Sequence, residues 1–167
     1  LSESAYNERR KVCEEISDLL GVESLRAVEE SDLLACKNQL SEDSYQKGLY
    51  ILQENKRVLH AGKAIESEDL KTLGKLLYES HAGLRFQYQV SCKELDFLVD
   101  ATLDNEEILG ARMMGGGFGG CTINIIHKSA IASFSKKIQA AFYQEFKTAC
   151  SIYKVSISQG THLLKNE

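Results

Sequence analysis

Proline is absent from all 167 residues, and the chain starts on leucine instead of methionine. Taken together, these two absences point to a stretch cut from a longer protein. No apolar run approaches the roughly 20 residues that a membrane-spanning helix requires. The opening Leu1-Ser2-Glu3-Ser4 has neither a basic flank nor an apolar signal core. The expectation is a cytoplasmic chain with no membrane partner. Positive charge is also scarce: 20 basic residues are dispersed among 24 acidic ones, for a net charge of −4. A phosphate backbone is bound by clustered Lys and Arg, so nucleic acid is not an expected partner. Paired cysteine motifs are missing too. Cys13, Cys36, Cys92, Cys121 and Cys150 are odd in number and never form C-x-x-C. That excludes the usual zinc and thioredoxin-like patterns and favours a reducing compartment in which free thiols act as small hydrophobes.

What is present reads as one globular domain. The composition is 43% hydrophobic and 26% charged, and the length suits a single core. Ala5, Val12, Cys13, Ile16, Leu19 and Leu20 recur at helical spacing before Gly21, a candidate C-cap. Residues 22–28 have room for a brief strand, and Ser31-Asp32 suggests a cap for a short helix through Leu40. A long helical pattern from Asp43 to Ile65 carries Leu49, Leu52, Val58, Leu59 and Ile65 on one stripe, and Ser67 is placed to cap a second helix with Leu70, Leu73, Leu76 and Leu77 inward. Ser91-Cys92-Lys93-Glu94 has the form of a capping box ahead of Leu95, Leu98 and Val99. The period then changes. Cys121, Ile123 and Ile125 alternate with polar residues as in a half-buried strand, with residues 111–114 as the partner strand. Ser129 opens a helix to about Thr148, and residues 152–157 alternate again as a closing strand. Helices followed by strands indicate an α+β fold, with helices covering an antiparallel sheet.

Between the two strands stands Gly115-Gly116-Gly117-Phe118-Gly119-Gly120, with five of the chain's 12 glycines in six positions. A hairpin is satisfied by one or two glycines. This density suits a backbone that a ligand approaches closely. The residues also satisfy G-x-G-x-x-G literally, but a strand follows where the dinucleotide fingerprint needs a helix, and Gln139 and Ala140 stand where it needs an acid. No Gly-Lys-Ser/Thr occurs, nor H-E-x-x-H or G-x-S-x-G, and Asp96-Phe97-Leu98 has no H-R-D companion. The chain has a ligand-facing loop, no complete catalytic set and no metal motif. His81 lies on an apolar helix face with no second ligand at i±4, as a core histidine does.

Ala111-Arg112-Met113-Met114, the glycine loop and Cys121-Thr122-Ile123 together resemble the third signature motif of galactokinases, in the GHMP kinase superfamily. Ser4-Ala5-Tyr6-Asn7-Glu8-Arg9-Arg10 with Cys13-Glu14 resembles the stretch that opens the second half of these enzymes. Glu79-Ser80-His81, Leu84-Arg85 and Ser91 to Asp96 resemble their central block, and Ser158-Gln159-Gly160 their tail. The resemblance implies that residues 1–167 are a GHMP kinase C-terminal domain. It also implies a ferredoxin-like antiparallel sheet with extra N-terminal helices, and an absent N-terminal domain carrying the ATP loop, most sugar recognition and the catalytic aspartate. The activity implied for the parent is transfer of the γ-phosphoryl of ATP to the anomeric hydroxyl of galactose with Mg²⁺, in the Leloir pathway. The isolated chain is expected to be inactive and to hold no cofactor tightly.

The resemblance further makes Tyr6 a sugar contact and Gly115, Gly116, Gly117, Phe118 and Gly119 a wall over the cleft. From its position alone, Tyr6 is equally an amphipathic tyrosine on a helix edge. Arg112 is either a positive charge beside the phosphates or a salt-bridge partner. Asn7, Arg9 and Arg10 would fix the first helix against the N-terminal domain. Three alternatives stand beside the galactokinase reading: a catalytically silent sugar sensor, a kinase for a related sugar such as N-acetylgalactosamine, and an independent interaction module.

Overall fold

The first helix follows its apolar spacing. In the computed structural model, which describes residues 2–158 and 160, α1 spans Ser2–Leu20 and ends at Gly21 with φ 65°. Gln159 of the expected tail motif lies outside the described residues, as do the side chains of Ser4 and Ala5 in the opening motif. Residues 22–28 form no strand. Their centre is a single 3₁₀ turn, Leu25–Ala27, because Leu25 and Val28 both turn inward onto one helical cluster instead of alternating across a sheet.

Helix α2 spans Glu30–Ala35, capped reciprocally by Glu29 and Asp32. The expected Ser31 cap is therefore displaced by two residues. Helix α3 spans Glu42–Glu66 with Ser41 accepting from the Ser44 amide at 2.9 Å. Ser67 does not start the next helix. Its hydroxyl donates to the Lys63 carbonyl and closes α3, and Asp69, accepting from the Thr72 amide at 2.9 Å, caps α4, Leu70–Phe86. In α5, Lys93–Asp100, the expected capping box is not made: the Ser91 hydroxyl donates instead to Asp96 Oδ1 at 2.5 Å.

Strands β1 (Ile108–Met114) and β2 (Cys121–Ile126) pair antiparallel, Met114 opposite Cys121 and Arg112 opposite Ile123, with a bulge between Ile108 and Gly110. Helix α6 spans Ile131–Phe146 and is preceded by a 3₁₀ turn in place of a Ser129 cap. The architecture is α+β and helix-rich, and among the described residues the sheet has these two strands.

Two buried clusters support it. Val12, Ile16, Leu25, Val28, Leu33, Cys36, Tyr45 and Leu52 join α1, α2 and α3. Tyr50, Leu84, Val90, Leu95 and Met113 join α3, α4, the segment after it, α5 and β1. Helix α4 lies directly on β1 because both surfaces are glycine at the crossing: a Cβ on Gly74 would overlap the Leu109 carbonyl, and one on Gly110 would overlap the Gly74 backbone. Phe97 of α5 meets Phe142 and Phe146 of α6 edge-on at 6.1 and 5.4 Å.

Three further expectations are corrected. Residues 151–158 carry no strand, and Tyr153 and Val155 are 82% and 78% exposed; a strand persists only beside an edge that accepts its ladder, and no described strand pairs with it. The distal stripe of α3 is open as well, with Val58, Leu59 and Ile65 exposed. Helical periodicity says which residues share a face, not whether a neighbour reaches that far along it. Cys36 is buried as a small hydrophobe, whereas Cys121 is exposed at the end of the loop.

Candidate functional site

The glycine loop is held at its middle and free at both sides. Phe118 donates its amide to the Val90 carbonyl at 2.7 Å. Gly117 lies so close beneath Val90 that a Cβ would overlap that carbonyl. Around this anchor Gly115, Gly117, Gly119 and Gly120 have φ of 81°, 87°, 136° and 97°, and Phe118 itself has φ 59°. A left-handed phenylalanine is rare and persists where surroundings hold it. By contrast, Gly115, Gly116, Gly119 and Gly120 face open space, with nothing within 4 Å of an added Cβ. Gly116 has neither a positive φ nor a crowded neighbour, so nothing within the chain requires glycine there.

Arg9 supplies the second hold. Although expected at a domain interface, it is 8% exposed and folded into this chain. Its Nε donates to the Tyr88 carbonyl at 3.2 Å and its Nη2 to the Gln89 carbonyl at 2.9 Å. Nη1 pairs with Glu8 at 3.2 Å, and the guanidinium stands 5.7 Å from the Phe118 ring centre. Arg10 instead pairs with Glu14 along the exposed face of α1. Tyr6, on the same helix, is 65% exposed. Tyr88 stacks on Tyr50 at 5.0 Å, and burial pushes both phenols up to about 12.

Arg112 is placed as a salt-bridge partner. Its Nη1 lies 3.1 Å from Glu54 Oε1 and its Nε donates to the Met113 carbonyl at 2.8 Å. Glu54 also accepts from Ser80 at 2.6 Å and pairs with Arg57. This charge is met within the domain by Glu54, which Arg112 shares with Arg57.

His81, 3% exposed, is a core histidine that also braces the hairpin. Its Nδ1 accepts from the Met113 amide at 3.3 Å, at the strand end that feeds the loop. That acceptor role places the proton of the neutral ring on Nε2, which stands 3.3 Å from Asp96 Oδ1 without the alignment of a hydrogen bond. Burial lowers the imidazole pKa below its ordinary value, against the opposing pull of Asp96. Asp96 is itself fixed by Ser91 and by Arg85 at 3.1 Å. Among the described residues, no group of three or more His, Cys, Asp and Glu lies together to hold a metal ion. An open cleft of about 480 Å³ lies elsewhere, between α1, residues 22–26 and α3, and none of its lining residues belongs to the loop.

Residues 62–144, from the end of α3 nearly to the end of α6, match the family model described as GHMP kinases C terminal. The chain belongs to that family. Within it, the chain is 40% identical to the galactokinase of Thermotoga neapolitana over 160 residues, covering 96% of this chain and 45% of that protein. It is also 40% identical to the galactokinase of Clostridium beijerinckii over 166 residues, covering 96% of this chain and 43% of that protein. It thus spans about half the length of the curated relatives it matches. The crystal structure of Lactococcus lactis galactokinase complexed with galactose superposes with a TM-score of 0.84 at 31% identity, over 92% of this chain and 41% of that one. These relatives are galactokinases, and among the described residues no helix is long and apolar enough to cross a membrane.

The sequence singles out the loop and Tyr6, gives Arg9 an interface role and does not single out Val90, whereas the structure brings Arg9, Val90 and Phe118 together. Arg9 stands three positions after Tyr6, a spacing that shares a helix face. Nothing in the local sequence signals that residues 88–90 return to meet it.

Proposed function

We propose that residues 1–167 are the C-terminal domain of a cytoplasmic galactokinase, whose full chain transfers the γ-phosphoryl group of ATP to the anomeric hydroxyl of galactose. The observation that carries this reading is Gly116, a glycine in open space with no demand on it from its own chain. Glycine at such a position leaves backbone clear for something from outside the domain, and phosphoryl transfer consists largely of in-line positioning and charge neutralisation around the phosphates. The galactokinase relatives supply the substrate class.

In this reading the loop Gly115 to Gly119 closes over the phosphoryl side of the cleft. Tyr6, exposed on α1, turns its phenol to a sugar hydroxyl. Arg112 acts beneath the loop by holding Glu54 and the Met113 carbonyl. The absent N-terminal domain brings the catalytic base, the ATP loop and the ligands of Mg²⁺, which when bound shields the phosphate charge. The 167 residues alone carry one wall of the site and turn nothing over.

The test is ATP-dependent phosphorylation by the longer chain with galactose and N-acetylgalactosamine side by side. Turnover of galactose, lost selectively in KM for sugar on Tyr6→Phe, is expected. Turnover of N-acetylgalactosamine alone overturns the substrate, and absence of any turnover with sugar binding retained points to a silent sensor.

A further inference from the structure

We propose that Arg9 is a positioning residue that sets the glycine loop at a fixed distance from the helix bearing Tyr6. The proposal rests on the reading of this cleft as a sugar phosphorylation site. A guanidinium is costly to bury unless its donors are matched, and here two of its nitrogens donate to one short segment while Nη1 pairs with Glu8. Its fork grips the consecutive carbonyls of Tyr88 and Gln89. The next carbonyl in that row, Val90, receives the amide of Phe118. Arg9 thus fixes the first two acceptors of a three-carbonyl row whose third holds the loop.

The same guanidinium stands over the Phe118 ring, so it holds the loop through both backbone and side chain. Gln89 and Phe118 both have positive φ, 55° and 59°, without being glycine. Such backbone persists where neighbours over-determine it, and Arg9 touches both residues. On its other side Arg9 is anchored by Glu8, which also pairs with Lys47 of α3, itself 2% exposed. Tyr6 lies three residues earlier on the same rigid helix. Sugar contact and loop are therefore carried by one mechanical unit. Lysine is not equivalent here, because its ammonium is a compact point donor without the planar fork that holds two carbonyls in a fixed geometry while standing over a ring.

The experiment uses the longer chain with Arg9→Lys, Arg9→Gln, Phe118→Leu and the Arg9→Gln/Phe118→Leu double variant. Ile16→Val, on α1 but buried in the first cluster, serves as a stability control. Amide exchange at Phe118, melting temperature and kcat are measured on each. Both Arg9 variants are expected to raise Phe118 exchange about tenfold or more relative to Ile16→Val. They are expected to lower kcat about tenfold or more, as small misplacements of a positioned site do. The double variant should be no worse than Arg9→Gln alone, since Phe118→Leu removes only the ring contact that Arg9→Gln already removes. Unchanged Phe118 protection in Arg9→Lys and Arg9→Gln overturns the proposal, as does a kcat within about twofold of the unsubstituted chain. If the unsubstituted chain phosphorylates no sugar, the proposed function fails by itself. The exchange measurement then still decides whether Arg9 holds the loop.

Discussion

In the first cluster α1, α2 and α3 close on Ile16 and Leu33, both wholly buried, whereas in the second β1 is buried against α4 and its partner β2 is buried at no position. The closed half is a scaffold with a sealed centre, although Leu34 on α2 and Val58 and Leu59 on α3 stay exposed outside it. The open half keeps Met114, Phe118 and Ile123 at 46%, 40% and 42% exposure around the glycine loop. Apolar surface left open beside a flexible sequence marks where a further partner or ligand belongs, and in the open half that surface surrounds the loop.

The largest effect is expected in the closed half. Ile16→Ala should cost about 2–5 kcal/mol, because no neighbour collapses readily into a site sealed by three helices; a urea denaturation series on the chain reads this directly. Next come two glycines a single residue apart. Gly117→Ala should destabilise the chain by about 1–3 kcal/mol, since the new Cβ meets Val90 in a left-handed backbone. Gly116→Ala should leave the melting temperature unchanged while lowering turnover of the longer chain. Equal stability losses for the two would erase the distinction between the held and open parts of the loop.

A pH effect follows. Burial holds His81 below its ordinary 6.5, so as pH falls the unfolded chain takes up the proton first. Stability should therefore decline from about pH 6.5 downward until the folded imidazole itself is protonated, with Asp96 opposing and Arg85 reinforcing the shift. Denaturation midpoints across that range should show the slope in the native chain, and His81→Asn should flatten it. The smallest change is expected on the open face: Ile123→Thr should stay within about 0.5 kcal/mol of the native chain. A larger loss would mean that β2 is covered after all.

Much of the fold is legible in the chain's local pattern. The helices of α1, α3 and α4, the hairpin of β1 and β2 and the loop between them follow from periodicity and glycine density. Cap positions are less secure. Ser67 and Ser91 both fit a helix start, yet one ends α3 and the other orients Asp96, because a serine hydroxyl serves whichever partner the chain brings near. The open faces are also hidden. Val58 and Leu59 share a stripe with Leu52, yet only Leu52 is buried, and the reach of a neighbouring helix is not a property of the stripe. Tyr6 and the glycine loop are legible as residues that resemble a family. Their tie through Arg9 is not, since Arg9 and Gln89 are 80 positions apart in the chain.

The sequence by itself determined the secondary structure that short-range rules govern: apolar spacing, the glycine that ends α1 and a glycine-dense loop between two strands. It also determined the family, because the motifs are linear. Tertiary structure alone decided which arginine is buried, which part of the loop is held and which faces stay open. These depend on burial and hydrogen-bond partners that arrive from distant parts of the chain.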